Sequence, residues 1–116
     1  MSSLAGLRFL VVDDEPLIAM DIAMALEDEG AAVTTTNTLK HAKLLAEDDG
    51  LAGVILDHSL GDGDSSQLWA RLKERGIPFL VYSGLEVQGV PHLTKPATPS
   101  QLVAALRNLI SEGSRG

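Results

Sequence analysis

A chain of 116 residues is about the size at which one hydrophobic core closes, which predicts a single domain over 1–116. With 45% hydrophobic and 22% charged residues, it has the composition of a folded globular protein rather than a disordered one. A formal charge of -7 opposes direct nucleic-acid binding, zero cysteines leave no disulfide or thiolate metal site, and no apolar run approaches the roughly 18 residues of a membrane span.

In chain order, Met1-Ser2-Ser3-Leu4 has no basic stretch leading into an apolar one, so no signal peptide is expected and a cytoplasmic location is the default. Leu7 to Val12 is continuously apolar, as in a central strand covered on both faces. Glu15 to Glu29 turns helical, with Asp14 as the natural N-cap, Pro16 suited to the first turn and Gly30 to the position past the last. Ile18, Ile22, Ala25 and Leu26 make its core stripe; Leu17, Met20 and Met24 form a second apolar row, which predicts burial of more than one face. Ala32 to Thr36 reads as a second strand, and Thr38 to Glu47 as a second helix with Leu39, Ala42 and Ala46 inward. Ala52 to Leu56 is a third strand ending on Asp57, followed by a polar loop, Ser59 to Gly63. Ser65 to Glu74 is a third helix stopped by Gly76, and Ile77 to Tyr82 a fourth strand with Pro78 among its first residues. Val90 to Thr94 is a fifth strand. Pro99 to Ile110 is a final helix with Leu102, Val103, Leu106 and Leu109 inward, leaving a core of 7–110 and a tail at 111–116 that frays or begins a linker.

Short β-rich runs alternating with amphipathic ones predict an α/β fold with a parallel sheet and crossover helices. In such a sheet the ligand site lies outside the carboxyl ends of the strands. Asp13 and Asp14 end the first strand, Asp57 the third, Ser83 the fourth and Lys95 the fifth. Carboxylates gathered there repel one another and call for a cation; with no His or Cys at ligand spacing, an oxygen site for Mg2+ is expected. Beside such an ion, an ammonium and a hydroxyl, Asp57 can act as a nucleophile toward a phosphoryl group and become an aspartyl phosphate. A set of helix caps and solvated loop charges would explain Asp14 but would not need Lys95 and Ser83 at matching strand ends.

The runs Leu10-Val11-Val12-Asp13-Asp14-Glu15-Pro16, Val54-Ile55-Leu56-Asp57, Tyr82-Ser83-Gly84 and Thr94-Lys95-Pro96 together resemble the receiver domains of two-component response regulators, from about Leu7 to Ile110. The resemblance implies a flavodoxin-like (βα)5 doubly wound sheet of strand order 2-1-3-4-5. It further implies Asp57 as phosphoacceptor, Asp14 as direct ligand of Mg2+ (or Mn2+), Asp13 as a ligand through water, and the Ser59 backbone carbonyl completing the shell. Ser83 matches the switch hydroxyl, Lys95 the phosphate-pairing lysine, and the Lys95-Pro96 peptide is implied to be cis. The implied partner is a sensor histidine kinase or histidine phosphotransfer protein docking near the first helix, where Leu17, Met20 and Met24 would suit adaptable contacts, and homodimerisation on phosphorylation is possible in this family. Such a protein promotes its own phosphorylation and is not a conventional turnover enzyme.

Two departures stand out. His92 occupies the place where the family commonly has Tyr or Phe, so any aromatic switch would use an imidazole; the alternative is an ordinary surface histidine. Only the eleven residues 84–94 separate Ser83 from Lys95, too few for a helix crossover, so the fourth helix is expected to be absent or reduced to a turn, with Leu85 to Gly89 mobile. That gap, with Pro78-Phe79-Leu80-Val81-Tyr82-Ser83-Gly84, resembles a variant receiver group nicknamed FATGUY for its Pro-Phe-x-Phe-Ala-Thr-Gly run, although only the Pro, Phe and Gly agree fully.

Other signals are weaker. Gly84 and Gly89 have P-loop spacing, but Val90 stands where Lys is required, and Asp62-Gly63-Asp64 lacks the alternating ligands and closing Glu of a calcium loop, so a solvated turn is expected. His58 reads as a loop residue tuning access to Asp57. A phosphatase of the haloacid dehalogenase type also uses an aspartyl nucleophile but needs Asp two residues later, where Ser59 stands. A pseudo-receiver that docks without accepting phosphate is the remaining alternative, disfavoured by the joint presence of Asp13, Asp14, Asp57, Ser83 and Lys95.

Overall fold

The computed structural model describes residues 4–85 and 87–113. Strand β1 (Arg8–Val12) leads into helix α1 (Pro16–Asp28), then β2 (Ala32–Thr36), α2 (Leu39–Leu45) and β3 (Leu51–Leu56). A small antiparallel hairpin of β4 (Ser59–Leu60) and β5 (Gly63–Asp64) stands where a plain polar loop was expected, followed by α3 (Ser66–Glu74), β6 (Phe79–Ser83), β7 (His92–Thr94) and α4 (Pro99–Gly113). The five long-range strands pair in parallel in the order β2-β1-β3-β6-β7, which is the expected 2-1-3-4-5 order counted without the hairpin.

The alternation of side chains along each central strand divides the core in two. Leu10, Val12, Val54, Leu56, Phe79 and Val81 face α2 and α3, where Leu39, Ala42, Leu68 and Leu72 meet them. Phe9, Val11, Ile55, Leu80 and Tyr82 face α1 and α4, against Ala19, Ile22, Leu26, Leu102, Val103 and Leu106. Each fully buried Leu, Ile or Phe contributes about 1.5–3 kcal/mol relative to exposure, so this double covering is what holds the sheet edge that carries the polar residues. Close approach of α4 depends on Gly53, where a Cβ would come within 3.2 Å of both Leu106 and the Phe9 ring.

Several boundaries differ from the sequence reading. The residue before α1 is Glu15, not Asp14; Pro16 fixes the first helical position, and it is the Asp13 carboxylate that accepts the Glu15 N–H, at 2.9 Å. The helix buries one stripe, Ala19, Ile22 and Leu26, with Ile18 and Ala25 flanking it. Leu17, Met20 and Met24 do not form a second buried face: they are 75%, 54% and 55% exposed, because none of the described residues packs against the far side of a helix laid on an open sheet. Strand β6 starts one residue after Pro78, and β7 is trimmed to three residues. Helix α4 continues to Gly113, so Ser111 to Gly113 are helical rather than a frayed tail, while 114–116 lie outside the described residues. Among the described residues no helix connects β6 to β7; buried Val87 covers that side of the core instead, so part of the Leu85 to Gly89 segment is packed. No helix of the described residues is long and apolar enough to cross a membrane.

Candidate functional site

The hydrogen-bond ladder of the sheet runs one bond past three strand pairs, and this extension fixes the polar residues. The Asp13 N–H donates to Thr36 O at 3.1 Å, the Asp57 N–H to Val12 O at 3.0 Å and the Lys95 N–H to Ser83 O at 2.7 Å. Asp13, Asp57 and Lys95 therefore emerge side by side at the carboxyl edge of β1, β3 and β7. The backbone of Asp57 is held further by Ser65, fully buried, whose hydroxyl donates to Asp57 O at 2.7 Å and accepts from Trp69 Nε1 at 2.7 Å.

At that edge the Lys95 ammonium lies 3.0 Å from Asp57 Oδ2, 3.1 Å from Asp13 Oδ2 and 3.3 Å from Glu15 Oε1. Oxygens of Asp13, Asp14 and Asp57 all lie within 4.8 Å of one another. Asp13 and Asp57 are buried, at 2% and 8% exposure, whereas Asp14 opens to solvent. Burial pushes the Asp13 carboxyl above the usual carboxylate range, against the Glu15 N–H and Lys95, which favour its charged form; the Asp57 charge adds to the rise. Burial works against the Lys95 ammonium, but hydrogen bonds to Asp57 and Asp13 outweigh it and hold the lysine well above its ordinary value. One ammonium thus pairs with three carboxylates, and Asp14 adds a fourth beside Asp13 and Asp57. At an effective dielectric of 20, two carboxylates 4.8 Å apart repel by about 3 kcal/mol. The surplus of negative oxygen, a ligand cluster that among the described residues holds only carboxylates, and the solvent-facing Asp14 fit a hard divalent cation that keeps part of its water.

The structure brings Asp13, Asp14, Asp57 and Lys95 together. Ser83 ends β6, buried, its hydroxyl accepting the Leu85 N–H at 3.3 Å, and its carbonyl anchors Lys95. His92 is half-buried on edge strand β7, opposite Val81 and thus two positions short of Ser83. Ser59 is exposed on β4. The Lys95-Pro96 peptide is cis. His58 packs its ring on Trp69, centroids 5.3 Å apart. Asp62 is more than part of a solvated turn: its carboxylate accepts the Leu39 and Lys40 N–H groups at 2.8 and 3.1 Å, capping α2, and Asp64 likewise accepts the Ser66 N–H at 3.0 Å.

Three participants have no site role in the sequence reading: Glu15 and Tyr82 stand there within the motif runs as a helix start and a strand end, and Ser65 as the start of the third helix. Yet the Tyr82 ring centroid lies 5.5 Å from Lys95 Nζ, and its hydroxyl bonds both backbone groups of Ala97. No periodicity marks the Glu15 and Tyr82 contacts, since they join residues 13 to 80 positions apart.

No protein-family model matches the chain. A curated relative, the transcriptional regulatory protein TcrA of Mycobacterium tuberculosis, is 32% identical over 121 residues, covering 94% of this chain and 48% of TcrA. The chain spans about half the length of the curated relatives it matches. Among solved structures, a response regulator receiver protein from Sinorhizobium medicae superposes with a TM-score of 0.82 at 26% identity, covering 96% of this chain and 99% of that one. A response regulator protein from Burkholderia pseudomallei, described with a phosphorylated aspartic acid and a calcium ion, superposes with a TM-score of 0.78 at 28% identity over 94% of this chain and 71% of that one.

Proposed function

We propose that this chain, which is a receiver domain of the two-component response-regulator family, takes a phosphoryl group from a partner phosphohistidine onto Asp57. The observation that carries the reading is the Lys95 ammonium bridging Asp57 and Asp13 at 3.0 and 3.1 Å, on the sheet edge where three carboxylates converge. The phosphorylated aspartate and divalent ion described for the Burkholderia protein support it.

Asp57 attacks phosphorus, an oxygen to phosphorus bond forms, and the phosphorus to imidazole nitrogen bond breaks, its electron pair leaving with the histidine of the donor. Lys95 pairs with a phosphoryl oxygen, and Ser83 donates its hydroxyl to another. Asp14, Asp13, Asp57 and the Ser59 carbonyl would hold Mg2+ or Mn2+, which when bound would supply positive charge to the equatorial oxygens. Asp57 is consumed as an acceptor, so the domain is a switch and not a conventional turnover enzyme.

The donor is a sensor histidine kinase or histidine phosphotransfer protein, docking on α1 beside exposed Leu17, Met20 and Met24 in the cytoplasm. His92 takes the place of the family's aromatic switch residue. The reduced β6 to β7 connection supports assignment to the FATGUY-type variant.

Incubation with acetyl phosphate and Mg2+ is expected to add one phosphoryl mass to the chain, and Asp57→Asn to abolish the addition, read by intact-protein mass spectrometry. A wild-type chain that gains no mass would overturn the reading in favour of a docking module that works without phosphate, the reading otherwise favoured by the missing crossover helix.

A further inference from the structure

We propose that Tyr82 is a positioning residue for this reaction, holding the Lys95 ammonium beside Asp57 with its ring and the lysine-bearing turn with its hydroxyl. The inference rests on the phosphoacceptor reading of the site. A lysine side chain is long, flexible and strongly hydrated, so nothing intrinsic to it fixes the ammonium at one point. Asp13, Glu15 and Asp57 attract it, but attraction to several oxygens at 3.0–3.3 Å does not select one geometry.

The Tyr82 ring supplies a further restraint. Its centroid lies 5.5 Å from Lys95 Nζ, inside the range of about 6 Å over which an aromatic face attracts a cation. At 5% exposure, packed with Phe9, Leu80 and Leu102, the ring is itself confined. The hydroxyl acts at the other end of the lysine: it accepts the Ala97 N–H at 2.8 Å and donates to Ala97 O at 3.2 Å. The next residue of β6, Ser83, accepts the Lys95 N–H. Two consecutive strand residues therefore hold the backbone at Lys95, the turn at Ala97 and the ammonium. When the Asp57 carboxylate is converted to an acyl phosphate, one of the ammonium's anionic partners changes. The ring does not, and it keeps Nζ within reach of the new oxygens.

The test compares Tyr82→Phe, which keeps the ring, with Tyr82→Leu, which removes it, each alone and combined with Lys95→Met. Two readouts are taken: the phosphorylation rate with acetyl phosphate and Mg2+, and the NMR shift of the Lys95 ε-methylene protons without metal or phosphodonor. The ε-protons are expected upfield of free lysine in the wild type and Tyr82→Phe, and to lose that ring-current shift in Tyr82→Leu. The rate is expected to fall about tenfold in Tyr82→Leu and less than about threefold in Tyr82→Phe, with no further fall from Tyr82→Leu once Lys95 is replaced. An equal fall in both backgrounds, or a lysine shift indifferent to the ring, would overturn the proposal and leave Tyr82 a core residue only. Should Tyr82→Leu fail to fold, pentafluorophenylalanine at position 82 takes its place, since the ring keeps its shape but loses its attraction for cations. A rate equal to that of Tyr82→Phe then overturns the proposal. A wild type that gains no phosphoryl group sinks the phosphoacceptor reading instead, and the lysine shift still decides the placement of the ammonium.

Discussion

Asp13 shows how one side chain carries opposing demands. Its carboxylate anchors the Glu15 N–H and pairs with Lys95, yet burial holds its pKa above the ordinary value. A carboxyl whose pKa is raised in the folded state favours folding when protonated, and that contribution is lost as the pH rises through the folded value. At neutral pH, without a cation, Asp13 is therefore a net burden. Asp13→Asn is expected to raise the metal-free thermal midpoint by several degrees at neutral pH, with the gain shrinking as the pH falls through the raised folded value and gone below the ordinary carboxylate value of about 4, and to weaken the stabilisation that added Mg2+ gives the wild type. Scanning calorimetry with and without Mg2+ decides it; a variant less stable than wild type in metal-free buffer at pH 7 would contradict this balance of charges.

At the scale of elements, helix starts carry much of the local order around the sheet edge. Thr98 and Gln101 form a reciprocal pair, Thr98 Oγ1 accepting the Gln101 N–H at 3.1 Å and Gln101 Oε1 accepting the Thr98 N–H at 2.8 Å, with Pro99 between them. This capping box is legible in the sequence as Thr98-Pro99-Ser100-Gln101. Thr98→Ala should cost about 1 kcal/mol in urea unfolding, because the helix loses one N-terminal acceptor. Ser65→Ala should cost more, about 1–3 kcal/mol, since it leaves both the Asp57 carbonyl and the Trp69 indole without their partner in a buried place. Trp69 is the single tryptophan of the chain, so its fluorescence in the same titration reports the loss directly. The caps that cross between elements, Asp62 onto α2 above all, had no such signature, because Asp62 and Leu39 are 23 positions apart.

Over the whole molecule, the exposed row Leu17, Met20 and Met24 stands on α1, the helix that follows Asp13 and Asp14, while the opposite stripe of α1 is spent on the core. If that row receives the phosphodonor protein, Met20→Asp should slow transfer from a phosphohistidine protein by tenfold or more, corresponding to about 1.4 kcal/mol or above, and leave the acetyl phosphate reaction within about twofold. Parallel kinetics with the two donors check it, and an equal loss with both would place the defect in the site and not in docking. The strand order was implied by the resemblance to receiver domains, while length, the alternation of apolar runs and the order of acidic, hydroxyl and amine residues at strand ends by themselves determined the α/β class, the missing crossover helix and the meeting of Asp13, Asp14, Asp57 and Lys95. Those features follow from periodicity and from the rule that parallel strands deliver their carboxyl ends to one edge. Only the tertiary structure decided that Leu17, Met20 and Met24 face outward, that Asp62 caps a helix, and that Glu15 and Tyr82 both reach Lys95. Each of these depends on a distance across the folded chain, and no local pattern encodes which of several polar or aromatic groups will arrive within a few Å of a given atom.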